Sequence, residues 1–132
     1  MILTPDQMQA VKEGKYSFGS IKDHLWPHTI PYQFDTSISY YPQAVKAIEA
    51  AIADYHKYTC LRFVPRSNQK TYMHFYQGNG CNSYVGMQEG RNWVSLANGC
   101  WGRATAIHEI GHSLGKCCQK WRLCMEYATP HL

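Results

Sequence analysis

The chain has no apolar run approaching the roughly 20 residues that a membrane-spanning helix takes. Its opening, Met1 to Ala10, lacks the basic-then-apolar layout of an export signal, so read literally the chain is not exported. Charge of one sign is not concentrated anywhere. The net charge of +4 comes from 13 basic and 9 acidic residues scattered along the sequence. The densest basic stretch, Lys116 to Arg122, holds three charges broken up by cysteines and a tryptophan. Nucleic acid and anionic membrane both call for a basic patch, so neither is expected as a partner. Internal repeats and low-complexity segments are absent too. What is there, 132 residues with 45% hydrophobic and 17% charged, is the composition of one folded domain with a core of its own. The six cysteines pull against the missing export signal, because that density is commoner in oxidising compartments.

Periodicity divides the chain into helices and strands. Residues 1–22 show no strong period, are broken by Pro5, Gly14 and Gly19, and read as an extended lead-in. Ile30, Tyr32 and Phe34 alternate along a short strand from Thr29 to Asp35, which Pro31 places at a sheet edge or near the strand's start. Pro42 can open a helix, and Val45, Ile48, Ile52 and Tyr55 then fall on one face of it. Leu61–Pro65 and Thr71–Tyr76 read as strands. Tyr84–Met87 and Trp93–Ala97 read as two more, joined through a turn at Glu89-Gly90. A second long helix runs from about Gly102 to Leu114, with Gly115 placed for a left-handed cap. The layout is α+β, a twisted sheet packed with two long helices, the second of which carries the chemistry.

That chemistry is His108-Glu109-x-x-His112. Two imidazoles four residues apart project from nearly one helix face and can share a zinc ion, each nitrogen about 2.0–2.1 Å away. Glu109 stands one step round, where it can reach a metal-bound water without ligating the metal. The five residues taken alone also fit a plain amphipathic helix with two exposed histidines. The flank favours the metal, for Gly115 extends the pattern to His-Glu-x-x-His-x-x-Gly, the opening of the metzincin motif.

Residues 25–115 resemble the amino-terminal part of an astacin-family metalloendopeptidase. The likeness is carried by Leu25-Trp26-Pro27 with Thr29-Ile30-Pro31-Tyr32, by Thr59 to Arg66, and by Gly80-Cys81-Asn82-Ser83-Tyr84-Val85-Gly86. Val94-Ser95-Leu96, Asn98-Gly99-Cys100 and the histidine helix complete it. The resemblance implies a metzincin-like fold lacking its carboxyl-terminal subdomain, and one zinc ion held by His108 and His112. It further implies Glu109 as general base, a disulfide between Cys81 and Cys100, and secretion. Peptide or protein substrates would lie along the strand bearing Tyr84, Val85 and Gly86, bound largely through backbone hydrogen bonds.

The pattern then breaks. Cys118 stands where the third zinc histidine belongs, and Gln119 replaces the glutamate that follows it. A thiolate can bind zinc, but it cancels one unit of the ion's charge and leaves bound water less acidic. The preferred reading of Cys117, Cys118 and Cys124 is an unselected tail. Met125 and Tyr127 match the spacing of the family's methionine turn but come too early. The family partner of Cys60 lies near the carboxyl end of a full domain, so Cys60 is expected to be left over. Ile2-Leu3-Thr4-Pro5 with Gln7 is similar to the tail of a family propeptide. The expected division is therefore a propeptide remnant at 1–22, a partial peptidase domain at 23–115 and an unrelated tail at 116–132. The expected function is a zinc endopeptidase, impaired in this chain by the missing third histidine. The alternative is a non-catalytic zinc- or peptide-binding remnant. A truncated domain should also leave the apolar face of the second helix, Ile107, Ile110 and Leu114, less completely buried than in a full enzyme.

Overall fold

Alternating apolar side chains and the amphipathic stretch after Pro42 produce the expected mixture of sheet and helix. The computed structural model describes residues 2–12 and 26–115. Its five strands are β1 (Thr29–Phe34), β2 (Arg62–Pro65), β3 (Tyr72–Tyr76), β4 (Cys81–Ser83) and β5 (Arg91–Leu96). They form one sheet in the order β2-β1-β3-β5-β4. β1 runs parallel to β2 and β3, and β3 parallel to β5, while β4 closes one edge antiparallel to β5. Pro31 sits in an inner strand. It lies on the opening half of β1, which pairs only with β2 and so needs no amide donor toward β3.

The helices among the described residues are α1 (Pro5–Lys12), α2 (Thr36–Ser39), α3 (Pro42–Tyr58) and α4 (Arg103–Ser113). Pro42 occupies the first turn of α3, where a missing amide costs nothing. Ile48, Ile52 and Tyr55 of α3 pack with Ile30, Met73, Phe75, Val94 and Leu96 of the sheet and with Ile110 of α4. Burying each such side chain contributes about 1.5–3 kcal/mol. In α4, Ile110 and Leu114 are buried and Ile107 is partly so.

Two local expectations are corrected. The strand expected at Tyr84–Met87 is instead Cys81–Ser83, because the register pairs Cys81 with Leu96 and Ser83 with Val94. The extended lead-in contains α1. Its start is a capping box: the Gln7 amide donates to Thr4 Oγ1 at 3.3 Å and the Thr4 amide donates to Gln7 Oε1 at 2.9 Å. Asp6 adds a negative charge in the first turn.

Candidate metal centre

The sequence ends α4 just past His112. Gly102 is its amino-terminal cap with extended backbone, Leu114 is its carboxyl cap, and Gly115 follows at φ 79°. Glycine is the residue that adopts this left-handed conformation without strain. The Gly115 amide donates back to the His112 carbonyl at 2.9 Å.

Other elements grip the helix by its carbonyls. Tyr55 of α3 donates its hydroxyl to the Ile107 carbonyl at 2.7 Å. Burial pushes that phenol's pKa well above its usual range, so it remains a donor. Ser83 of β4 donates to the Glu109 carbonyl at 2.8 Å. The Gly86 amide donates to the His112 carbonyl at 3.0 Å, and the Trp26 indole Nε1–H donates to the Ser113 carbonyl at 2.8 Å. The last two satisfy carbonyls that a helix end leaves without an intrahelical partner. Cys81 and Cys100 form the expected disulfide, linking β4 to the loop that enters α4. A bridge closing a loop of about this length stabilises by roughly 3 kcal/mol.

Held in this way, α4 brings its chemical residues together. The His108 and His112 rings are nearly perpendicular at 88°, with Nε2 atoms 2.8 Å apart. His108 is exposed, His112 half-buried and Glu109 buried, and one ligand atom from each falls within 4.8 Å of the others. Two imidazole nitrogens beside a carboxylate are a donor set that suits zinc. Tetrahedral bonds of about 2.0–2.1 Å would set the two nitrogens about half an ångström further apart, a small side-chain adjustment. The residues fit the ion.

Tyr84, Val85 and Gly86 follow β4 along the sheet edge, and the start of the chain already lies on them. The Ile2 amide donates to the Ser83 carbonyl at 2.8 Å, and the Val85 amide donates to the Ile2 carbonyl at 3.0 Å, with Ile2 parallel to Tyr84. The buried Gln7 side chain donates to the Val85 carbonyl at 2.8 Å.

Cys118, the doubtful third ligand, lies outside the described residues. Cys60, just past α3, is disulfide-bonded, which corrects the expectation that it is left over. Sequence reading assigned no part in the site to Tyr55, Trp26 or Ser83. Trp26 and Ser83 stood inside quoted motifs, but nothing in the sequence says which helix carbonyl each meets.

The family model described as Astacin, a peptidase family, matches residues 19–125. The zinc metalloproteinase nas-6 of Caenorhabditis elegans is 37% identical over 106 residues, covering 78% of this chain and 30% of that protein. Blastula protease 10 of Paracentrotus lividus is 34% identical over 133 residues, covering 87% and 22% respectively. The chain thus spans less than a third of either relative. Among solved structures, high choriolytic enzyme 1, a hatching enzyme zinc-protease from Oryzias latipes, superposes with a TM-score of 0.65 at 28% identity. That superposition covers 73% of this chain and 50% of the enzyme. From its sequence and its fold, the chain belongs to the astacin family of zinc metalloproteinases.

Proposed function

We propose that this chain is part of a secreted zinc endopeptidase in which His108 and His112 hold one zinc ion and Glu109 is the general base. The observation that carries the reading is the convergence of both Nε2 atoms and the Glu109 carboxylate within 4.8 Å on one anchored helix. Zinc, when bound, supplies a positive centre that acidifies water and polarises a carbonyl. The chain's own residues do the rest. Glu109 takes a proton from the water whose oxygen bonds to the peptide carbonyl carbon. It then delivers that proton to the departing amine nitrogen as the C–N bond breaks. The fixed frame of α4 keeps the carboxylate beside the imidazoles throughout.

Peptide or protein substrates are read along Tyr84–Gly86. Support comes from Ile2, which already adds to that edge as an extended segment does. A peptide has to displace it. The reading carries no role for nucleic acid, and among the described residues no helix is long and apolar enough to cross a membrane. The division into a propeptide remnant at 1–22, a peptidase portion at 23–115 and a tail at 116–132 belongs to the same proposal.

Turnover by this chain is slow. A catalytic zinc normally has three protein ligands and a water, and here two histidines are secure. An error of about 1 Å at a reacting centre lowers the rate by ~10²-fold. A fluorogenic peptide assay with added zinc, on the chain and on Glu109→Ala, tests both parts. Slow, chelator-sensitive hydrolysis that vanishes in Glu109→Ala supports the reading. Robust hydrolysis lost in Glu109→Ala contradicts the impairment and brings Cys118 forward as a ligand. Zinc binding with no hydrolysis at all favours the alternative, a non-catalytic remnant.

A further inference from the structure

The Ser83 side chain has no part in the metal set, and only its main-chain carbonyl, which accepts from the Ile2 amide, takes part in the edge hydrogen bonds. The residue is the last of β4, its backbone fixed opposite Val94 and, two residues earlier, by the Cys81–Cys100 bridge. It is 1% exposed and faces α4. Its Oγ lies 2.8 Å from the Glu109 carbonyl oxygen and 3.5 Å from Glu109 Oε2. Both acceptors belong to one residue. Glu109 is itself 5% exposed, and no lysine or arginine pairs with it among the described residues. A buried carboxylate without a cation depends on neutral donors to hold it and to offset its lost hydration. Among the described residues, Ser83 supplies the side-chain hydroxyl within reach of it.

We propose that Ser83 is a positioning residue for Glu109, its single hydroxyl hydrogen shared between the main-chain carbonyl and the carboxylate. Bonded to the carbonyl, it fixes the helix turn. Turned to Oε2, it holds the carboxylate beside His108 and His112, whose ligand atoms lie within 4.8 Å of it. The two positions need only a rotation about the serine Cβ–Oγ bond, which costs little beside a hydrogen bond. A residue that only packed against α4 would need the first contact and not the second.

The inference rests on the metal reading above, so its test uses cobalt(II) binding rather than hydrolysis. The full chain, Ser83→Ala, Glu109→Ala and the double variant are titrated with cobalt(II), following the visible bands and the dissociation constant. Ser83→Ala is expected to shift the bands and weaken binding by about three- to tenfold, the size of one hydrogen bond. In the Glu109→Ala background it is expected to add little, because the acceptor it serves is gone. Ser83→Thr, which keeps the hydroxyl, is expected to bind cobalt as the unaltered chain does and covers a failure of the alanine variant to fold. Equal effects of Ser83→Ala with and without the Glu109 carboxylate, or no effect at all, overturn the proposal. Failure of the unaltered chain to bind cobalt contradicts the metal reading first, and this one with it.

Discussion

Tyr55, in the last turn of α3, donates to the carbonyl of Ile107, the residue before the first site histidine, at 2.7 Å. That bond ties the candidate metal helix to the core helix, beside the anchors from Ser83, Gly86 and Trp26. Tyr55→Phe keeps the ring contact with Phe63 and loses the bond to Ile107. It is expected to lower the unfolding free energy by about 1 kcal/mol in a urea titration and to weaken zinc binding in parallel. Unchanged zinc affinity alongside the stability loss would show that α4 keeps its position without this contact.

On the proposed reading, the chain's own start competes with a peptide substrate. Gln7 hooks the Val85 carbonyl, and Ile2 fills the edge beside Tyr84. Gln7→Ala removes a buried hydrogen bond and half of the capping box of α1, which together fix the segment. Affinity for an extended peptide, measured by fluorescence polarisation, is expected to rise about tenfold in that variant, the size of one buried hydrogen bond. An unchanged affinity would mean that peptides bind elsewhere.

Stability should depend on His74. The imidazole is buried on β3, beside Tyr72 and Trp93 and 3.5 Å from Asp35. Burial depresses its pKa, Arg91 and Arg66 add to the effect, and Asp35 opposes it. His56 is depressed by burial and Arg62. Its Nε2 can accept from the Phe63 amide only while unprotonated. A histidine held below its unfolded value of about 6.5 is neutral in the fold. Its contribution is whole above that pH and is lost as pH falls through about 6.5 toward the folded pKa. Tm is therefore expected to drop between about pH 7.5 and 5.5, and to drop less in His74→Gln. Identical pH profiles for the two proteins would contradict this.

How much of this was legible in the sequence follows from the range of each signal. α3 and α4 were readable because their cues are local: Pro42 and the spacing of Ile48, Ile52 and Tyr55 for one, His108 to Gly115 for the other. The strand at Cys81–Ser83 was misplaced because register is set by pairing with Val94 and Leu96, which no short window contains. α1 was missed although Thr4 and Gln7 spell a capping box, since Pro5 was read as a breaker and not as a first-turn residue. The candidate metal residues His108, Glu109 and His112 could be named from their spacing. Tyr55, Trp26 and Ser83 could not, because each acts across 26 or more residues of sequence.

Zinc binding tests the central claim most directly. The full chain, His108→Gln and His112→Gln are each dialysed against zinc of known free concentration, and bound metal is measured by atomic absorption. One ion per chain is expected for the unaltered protein. Each histidine substitution is expected to weaken binding by roughly tenfold or more, while Glu109→Gln, which leaves both imidazoles in place, retains the ion. Stoichiometric zinc that persists when either histidine is replaced, or no zinc in the unaltered folded chain, would contradict the assignment of His108 and His112.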